Sequence, residues 1–538
     1  MLSLNRILVS SIVLTCLFIN PYGFDIYTNT RFASLLFFAA LVLSIILFNF
    51  KMVINNKMYR NILYLVSFYL VCVISSLLFS GIDIFEGLTG IFGRNIGALT
   101  YISLLVLFFA AIISSKIENS YIFIKILLYL GIATCIYGVF QFFDLDPILT
   151  TKTYNPVKGF FGNPNFQSAF VGIAALAVSS IILSSSIRKN FRFFLLITLI
   201  FFIFVIYLTD SLQGFIVYAV GLYYLVYAKF RSLKKTKWLS FLMVLSSPVL
   251  LILLIGDILQ KSPWTPILYQ GSISFRGDFW RAGFNMFINN PFFGVGPDGY
   301  RDQYRLYRDS VAANRIETTP PINSAHNLFL EMAASGGLPL LISYVSIILL
   351  TLFFIFKLSK KSDVFNYGQS GLIACWIGYM SQAMVSVNTI PLSIIGWIFA
   401  GKIIGLGINS EGLNIKIKQK LPQILSVPLV ALFAIAFPIV AGDISFKNAL
   451  KVQDVNRIKS AAYKYPANVH TAGLVAEIFR LSNLSEIGTQ VARDAVKMNP
   501  KNFEAWEELY QSKDISISEK NYILSMMRKL DPLNTELR

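Results

Sequence analysis

One polar segment, residues 274–310, concentrates side chains that suit a phosphorylated sugar. It combines arginines and tyrosines around a glycine-rich turn, "PFFGVGPDGY". The guanidinium group is a permanently charged, forked donor that matches phosphate oxygens, and a tyrosine ring can cover the apolar face of a sugar. The residues that we interpret as pyrophosphate-binding or sugar-binding candidates are Arg276, Arg281, Tyr300 and Arg301. For residues 301–308, an amphipathic helix lying on anionic lipid is the alternative.

A second segment, residues 322–340, contains His326, one of only two histidines in the chain. Histidine is the side chain best suited to act as a general base near neutral pH. Asn327 and Glu331 follow it at the predicted start of a helix, and we interpret both as substrate-binding candidates. A lone histidine is more often structural, which is how we interpret His470.

Two further segments lie at predicted edges of the membrane. "GIFGRNIGALTY" contains Arg94, and "GFFGNPNFQSAF" contains Asn163 and Asn165. We predict that all three side chains bind substrate. An arginine that extends to the membrane interface and asparagines that cap a helix are the alternatives.

Long apolar stretches must position these segments. The chain has 538 residues, of which 55% are hydrophobic and 14% charged, a composition typical of membrane proteins. The sequence predicts an all-α fold, a polytopic membrane helical bundle with about 12–13 spans. The candidate spans are 7–20, 32–50, 61–80, 96–113, 121–143, 165–186, 193–208, 213–228, 238–256, 338–356, 369–385, 390–407 and 421–441.

The net charge of +18 is distributed by topology. Most of the lysine and arginine surplus lies in alternate short loops, which predicts that the N-terminus is cytoplasmic and that the C-terminal tail is outside. This distribution also argues against a nucleic-acid binder. The four cysteines lie in apolar stretches without a pairing pattern, so we expect neither a disulfide scaffold nor a zinc site.

The predicted organisation has four parts. Residues 1–256 form the N-terminal membrane bundle, 257–337 a large extracytoplasmic loop with the active site, 338–441 the last spans, and 442–538 an extracytoplasmic helical tail. A motif recurs in the tail at Pro466, Pro500 and Pro532, each followed two residues later by asparagine. This period of about 34 residues predicts tetratricopeptide-like repeats. Such repeats would bind a protein partner, and a passive cap on the outer loop is the alternative.

Together the motifs resemble the O-antigen ligase and polymerase superfamily of bacterial membrane glycosyltransferases. The resemblance covers residues 60–410 and is strongest from Arg276 through "PFFGVG" and His326–Asn327 to "GG" at 336–337; "GNPNFQSA" and "YGVFQFFDLDP" add to it. It implies an all-helical, C-type glycosyltransferase fold in the bacterial plasma membrane. The chain departs from many relatives at "TDSLQG", residues 209–214.

The resemblance also implies the reaction. The donor would be a glycan on undecaprenyl pyrophosphate, and the acceptor a hydroxyl of a glycan, lipid or protein; no cofactor or metal is implied. In this mechanism Arg276 clamps the pyrophosphate with support from Arg94 and Arg301, and His326 activates or orients the acceptor hydroxyl. A protein O-oligosaccharyltransferase of the same superfamily, a polysaccharide transporter or flippase, and a non-catalytic scaffold are the alternatives.

Overall fold

The computed structural model describes residues 3–148, 157–258, 271–314, 322–361, 364–408, 427–464 and 467–537. Helices are the only regular secondary structure in these ranges. In chain order the α-helices are α1 Leu4–Leu17, α2 Thr28–Phe48, α3 Phe50–Asn55, α4 Lys57–Phe79, α5 Ile84–Thr89, α6 Ala98–Ile113, α7 Ile117–Phe142, α8 Pro164–Ile182, α9 Lys189–Leu208, α10 Gln213–Ser232, α11 Lys237–Ile258, α12 Gly271–Asn289, α13 Tyr300–Tyr307, α14 Ser310–Ala313, α15 Leu328–Lys361, α16 Tyr367–Ala383, α17 Ile390–Ile408, α18 Val427–Val452, α19 Val455–Ala461, α20 Val469–Leu481, α21 Ser485–Met498, α22 Phe503–Gln511 and α23 Ile517–Leu530.

A helix lies at each of the thirteen predicted spans. In the part of the chain that the structure describes, eight helices are long and apolar enough to cross a membrane: α2, α4, α7, α8, α9, α15, α17 and α18. The apolar helices α1 and α6 are shorter. The predicted fold class, an all-helical polytopic membrane bundle, is therefore confirmed.

The centre of the bundle is α17, which is buried along the whole spanning segment. Apart from Ser393 and Lys402, its sequence is apolar on every face, which is what a helix surrounded by other helices requires. It packs closely against α6, because Gly401 brings the two backbones together: a Cβ at Gly401 would lie 2.4 Å from the carbonyl oxygen of Phe108. Small residues allow this close approach inside membrane bundles.

The long helix α15 is broken at Gly337, where φ is 67° and ψ is −166°. It begins at Leu328, whereas the sequence predicts the span only from residue 338. At the break, backbone groups of α15 form hydrogen bonds with the glycine-rich turn that follows α12 instead of with the helix. The Val295 amide donates to the Ala334 carbonyl (2.8 Å), and the Leu338 amide donates to the Pro291 carbonyl (2.7 Å). The turn is thereby joined to both halves of α15.

The tail forms a second core from α19–α23, separate from the core of the membrane bundle, in which consecutive helices pack on each other. It contacts the helix α13 of the long loop: Arg308 Nη2 lies 2.7 Å from Asp531 Oδ2, and Arg305 Nη1 lies 3.3 Å from the same oxygen. The loop and the tail therefore lie on the same side of the bundle. The repeat assignment stays a prediction, and Pro466 lies outside the described residues.

Candidate active site

His326 lies in the short connection that leads into α15. Its backbone is left-handed (φ 51°), a conformation that is uncommon for a residue with a Cβ. The His326 amide donates to Ser324 Oγ at 3.0 Å, and the imidazole ring packs on Phe279 of α12 with 5.2 Å between ring centroids. The turn and this ring contact together fix the direction of the imidazole.

The Asn327 side chain forms hydrogen bonds with the backbone of α15 and with the backbone at the end of α16. Its Oδ1 accepts from the amides of Phe329 (3.0 Å) and Leu330 (3.1 Å), which otherwise lack partners in the first turn of α15. Its Nδ2 donates to the carbonyl oxygen of Met384, directly after α16 (3.0 Å). Asn327 thus holds the position of its neighbour His326.

A buried ion network supports this connection from below. Arg94 Nη2 lies 3.0 Å from Glu331 Oε1, and Arg94 Nη1 lies 3.1 Å from Asp298 Oδ1. All three side chains are at most 6% exposed. Glu331 Oε2 also accepts from the amide of Ala325, the residue before His326, at 2.9 Å. The network therefore connects Arg94 and Asp298 to the backbone of the histidine turn.

The charge of Arg94 is balanced within the protein. Burial opposes its charged form, but the carboxylates of Asp298 and Glu331 outweigh burial and raise the pKa of Arg94 above its usual value. A guanidinium that already contacts two carboxylates has little capacity left for a substrate pyrophosphate. The geometry favours a positioning role for Arg94 and Glu331.

Arg276 lies in α12 and, unlike Arg94, is not paired with a carboxylate of the described residues. Its side chain is half-buried, and it makes no hydrogen bond or ion pair within the part of the chain that the structure describes. Burial lowers the pKa of Arg276, yet an arginine stays charged at neutral pH. An uncompensated, partly desolvated guanidinium is a site for an anion.

The imidazole of His326 is close enough to Arg276 to be affected by its charge. Burial, then the charges of Arg276 and Arg94, lower the pKa of His326 to about 3. The imidazole is therefore neutral at physiological pH, with one ring nitrogen able to accept a hydrogen bond or a proton. Within the described ranges, a cation without an ion-pair partner thus lies near enough to a neutral proton acceptor to affect it electrostatically.

Comparison with known families points to the same region. Residues 197–345 match the O-antigen ligase family model. No curated protein matches the chain. The O-antigen ligase match begins in α9, ends in α15 and includes Arg276, His326, Asn327 and Glu331. It supports a membrane glycosyltransferase of the O-antigen ligase or polymerase type.

Three other candidates within the O-antigen ligase match lie in different surroundings. Arg281 is paired with Asp278 and Asp309, each at 2.5 Å. Tyr300 is completely buried and donates to the Phe279 carbonyl at 2.6 Å, so its ring belongs to the interior. Arg301 lies on the tail side of α13, where it lines a cavity with residues of α20 and α22.

The lipid-lying interpretation of residues 301–308 is wrong. Arg305 and Arg308 on this stretch are buried against Asp531 of the tail, with side chains 11% and 5% exposed. The surface that would contact lipid headgroups is therefore covered by protein.

Asn163 and Asn165 lie outside the matched residues, at the start of α8. Asn163 Oδ1 accepts from the Asn165 amide (2.8 Å), and Asn165 Oδ1 accepts from Ser211 Oγ (2.7 Å). Ser211 belongs to "TDSLQG", residues 209–214. Within the described ranges, neither asparagine contacts Arg276 or His326.

Asp298 is the site residue that sequence reasoning missed. Besides pairing with Arg94, its Oδ2 accepts from the amides of Ile91 (2.8 Å) and Ile96 (3.3 Å). Its backbone is also left-handed (φ 63°). The available signal was a carboxylate between the glycines of "GVGPDGY", where a turn, rather than a helix, would direct the side chain.

Proposed function

We propose that this protein transfers a glycan from undecaprenyl pyrophosphate to an acceptor hydroxyl on the outer face of the bacterial plasma membrane. The observation that carries the proposal is that Arg276, which has no carboxylate partner among the described residues, lies near a neutral His326 inside the segment that matches O-antigen ligase. A pyrophosphate would bind the guanidinium of Arg276, and an attacking hydroxyl would give its proton to the imidazole of His326.

The proposed reaction is a single displacement at the sugar C1. The acceptor oxygen bonds to C1 while the bond from C1 to the pyrophosphate oxygen breaks, and the electron pair of that bond leaves on the bridging oxygen. The hydroxyl proton passes to His326. Arg276 stabilises the charge that grows on the leaving oxygen, and interactions that strengthen in the transition state raise the rate.

Donor binding would prepare the base. The positive charge of Arg276 is one reason that the pKa of His326 is low. A bound pyrophosphate would neutralise that charge and add its own negative charge nearby, so the pKa of His326 would rise. The histidine would become an effective proton acceptor only when the donor is in place.

The other residues of the site do not react with the donor or the acceptor in this proposal. Asp298, Arg94 and Glu331 hold the histidine turn, and Arg301 contributes positive charge from the tail side of α13. We further propose that the tail is built from tetratricopeptide-like repeats that recruit a protein partner, and that it lies outside together with the loop.

The decisive experiment uses the purified protein with a polyprenyl-pyrophosphate oligosaccharide and an acceptor. Release of free polyprenyl pyrophosphate supports glycosyl transfer, whereas movement of the intact donor across a vesicle membrane without release supports a transporter and contradicts the proposal. Gene deletion then identifies the acceptor. Loss of long chains with single units retained indicates a polymerase, loss of attached glycan with accumulated donor indicates a ligase, and an unglycosylated secreted protein indicates protein glycosylation.

A further inference from the structure

A cluster of three side chains lies where the tail meets the membrane domain, outside the proposed active site. Glu86 comes from α5, Asp302 from α13 of the long loop, and His470 from the start of α20 in the tail. One ligand atom of each lies within 4.8 Å of the other two. Glu86 Oε1 and His470 Nε2 are 3.7 Å apart.

Two of these atoms are buried and have no hydrogen-bond partner among the residues that the structure describes. They are Glu86 Oε1 and His470 Nε2, which face each other. The Glu86 side chain is 6% exposed and the His470 side chain is 11% exposed. A buried polar atom without a partner carries an unrecovered desolvation cost. A cation bound between these two atoms would offset that cost for both.

Two asparagines of the tail orient the carboxylates. Asn499 Nδ2 donates to Glu86 Oε2 (3.1 Å) and to Asp302 Oδ2 (2.6 Å). Asn502 Nδ2 donates to Asp302 Oδ1 (2.9 Å). Outer hydrogen bonds of this kind fix the ligating carboxylates of metal sites. Each bonded oxygen keeps a second lone pair for a cation.

We propose that Glu86, Asp302 and His470 bind a divalent transition-metal ion of the zinc class. An imidazole with two carboxylates is a ligand set that zinc accepts, whereas calcium and magnesium prefer oxygen ligands alone. Ligands of a tetrahedral zinc ion lie about 3.3 Å apart, so the observed 3.7 Å between Glu86 and His470 requires only a small movement. A cavity of about 210 Å³, lined by Glu86, His470 and Asn499, gives access.

The ion would join three parts of the chain that are remote in sequence. It would attach the tail to α5, between the spans α4 and α6, and to α13, which carries Arg301 beside Asp302. The site is separate from His326, so its metal has a structural role and takes no part in glycosyl transfer. The inference therefore stands or falls independently of the proposed function.

The test measures metal content of the full-length protein in detergent. After treatment with a chelator, the protein is titrated with ZnCl₂ by calorimetry and the bound zinc is measured by mass spectrometry. We expect one zinc ion per wild-type chain, and loss of that ion in Glu86→Gln, Asp302→Asn and His470→Gln. The matched control is His326→Gln, which removes the only other histidine and should retain the ion. A wild-type chain that binds no zinc, or a His470→Gln variant that still binds it, would overturn the proposal.

Three more measurements separate metal binding from packing. His470→Cys restores a zinc ligand and should recover the ion, whereas a purely structural histidine would not be replaced by cysteine. Asn499→Ala keeps all three ligands and should weaken zinc binding about 10-fold or more through lost orientation. Zinc should also raise the Tm of the wild type but not that of His470→Gln. A wild-type Tm that does not respond to zinc contradicts the site.

Discussion

Arg94 and Asp298 form a buried ion pair, with 3.1 Å between Nη1 and Oδ1, although one belongs to the N-terminal half of the bundle and the other to the long loop. Their side chains are 6% and 0% exposed. The same Asp298 carboxylate accepts the amides of Ile91 and Ile96. A single aspartate thus fixes both the arginine and the turn that carries it, and through Glu331 the turn of His326.

Replacing Asp298 should destabilise this connection strongly. Asp298→Asn keeps the size of the side chain but leaves Arg94 with one carboxylate, and breaking a buried ion pair by removing one partner costs about 3–5 kcal/mol. We expect a large fall in Tm of the purified protein in detergent. The control is Asp494→Asn, whose partner Lys497 is 73% exposed, because exposed pairs contribute little. Equal Tm values for the two variants would show that the buried pair is energetically unimportant.

Arg276 is expected to be necessary for turnover and not for folding. Because its guanidinium has no hydrogen-bond or ion-pair partner among the described residues, Arg276→Ala should lower the rate of polyprenyl pyrophosphate release about 10²–10³-fold, in line with the loss of one donor to a developing oxyanion, with an unchanged Tm. Arg276→Lys keeps the charge but loses the fork, so it should remain strongly impaired. Arg493→Lys in the tail is the control for the general effect of such a change. Near-normal release by both Arg276 variants would remove Arg276 from the mechanism.

The pH dependence follows from the low pKa of His326. In the free enzyme this pKa is about 3, so kcat/KM should show no ionisation of this residue between pH 5 and 8. The same shift affects stability. The unfolded chain gains a proton at His326 below pH 6.5, whereas the folded chain does not until about pH 3. This residue therefore lowers the free energy of unfolding as the pH falls through that window. A kcat/KM limb near pH 6.5 that disappears in His326→Gln would contradict the assignment.

The break in α15 depends on Gly337. An added Cβ there would lie 2.5 Å from the Pro291 carbonyl oxygen, and the φ of 67° is unfavourable for any other residue. Gly337→Ala should therefore lower the Tm and the rate together. Gly473→Ala is the matched control, because Gly473 lies within α20 with no neighbouring atom within 4 Å of its Cβ position, and a helical glycine-to-alanine change stabilises by about 1 kcal/mol. A Gly337→Ala protein with unchanged Tm would contradict the strained geometry.

Attachment of the tail depends on Asp531. Its carboxylate is 0% exposed and accepts from Arg305 of α13 and from Arg308, which follows that helix. Asp531→Asn removes the negative charge that the two buried arginines share, although Glu504 still lies 3.5 Å from Arg305, so hydrogen exchange of α23 should become faster. Asp514→Asn serves as the control elsewhere in the tail. Unchanged exchange in Asp531→Asn would mean that other contacts hold the tail.

The helices of the bundle were predictable from the sequence, because a run of about 20 apolar residues has few other stable conformations in a bilayer. The ends of the helices were harder to predict. The charged Glu331 interrupts the apolar run, so the sequence does not indicate that α15 begins at Leu328. In the structure the charge of Glu331 is balanced by Arg94 from another part of the chain.

The site was only partly predictable, for the same reason. The types of Arg276 and His326 suggested their chemistry, but whether an arginine is free or paired depends on tertiary contacts. Arg94 and Arg276 look equivalent in the sequence, yet one contacts two carboxylates and the other contacts none in the described part of the chain. Likewise, nothing in the spacing of Glu86, Asp302 and His470 indicates that they meet.

The break in α15 connects the candidate site to a helix that is long and apolar enough to cross a membrane. Apolar helices tilt to match the thickness of the hydrocarbon layer. The half of α15 after the break begins at Leu338, whose amide donates to the Pro291 carbonyl, just after the helix that carries Arg276. A change of tilt would therefore be transmitted to the end of α12. We expect turnover to depend on the acyl-chain length of the surrounding lipid even when the headgroup is kept the same.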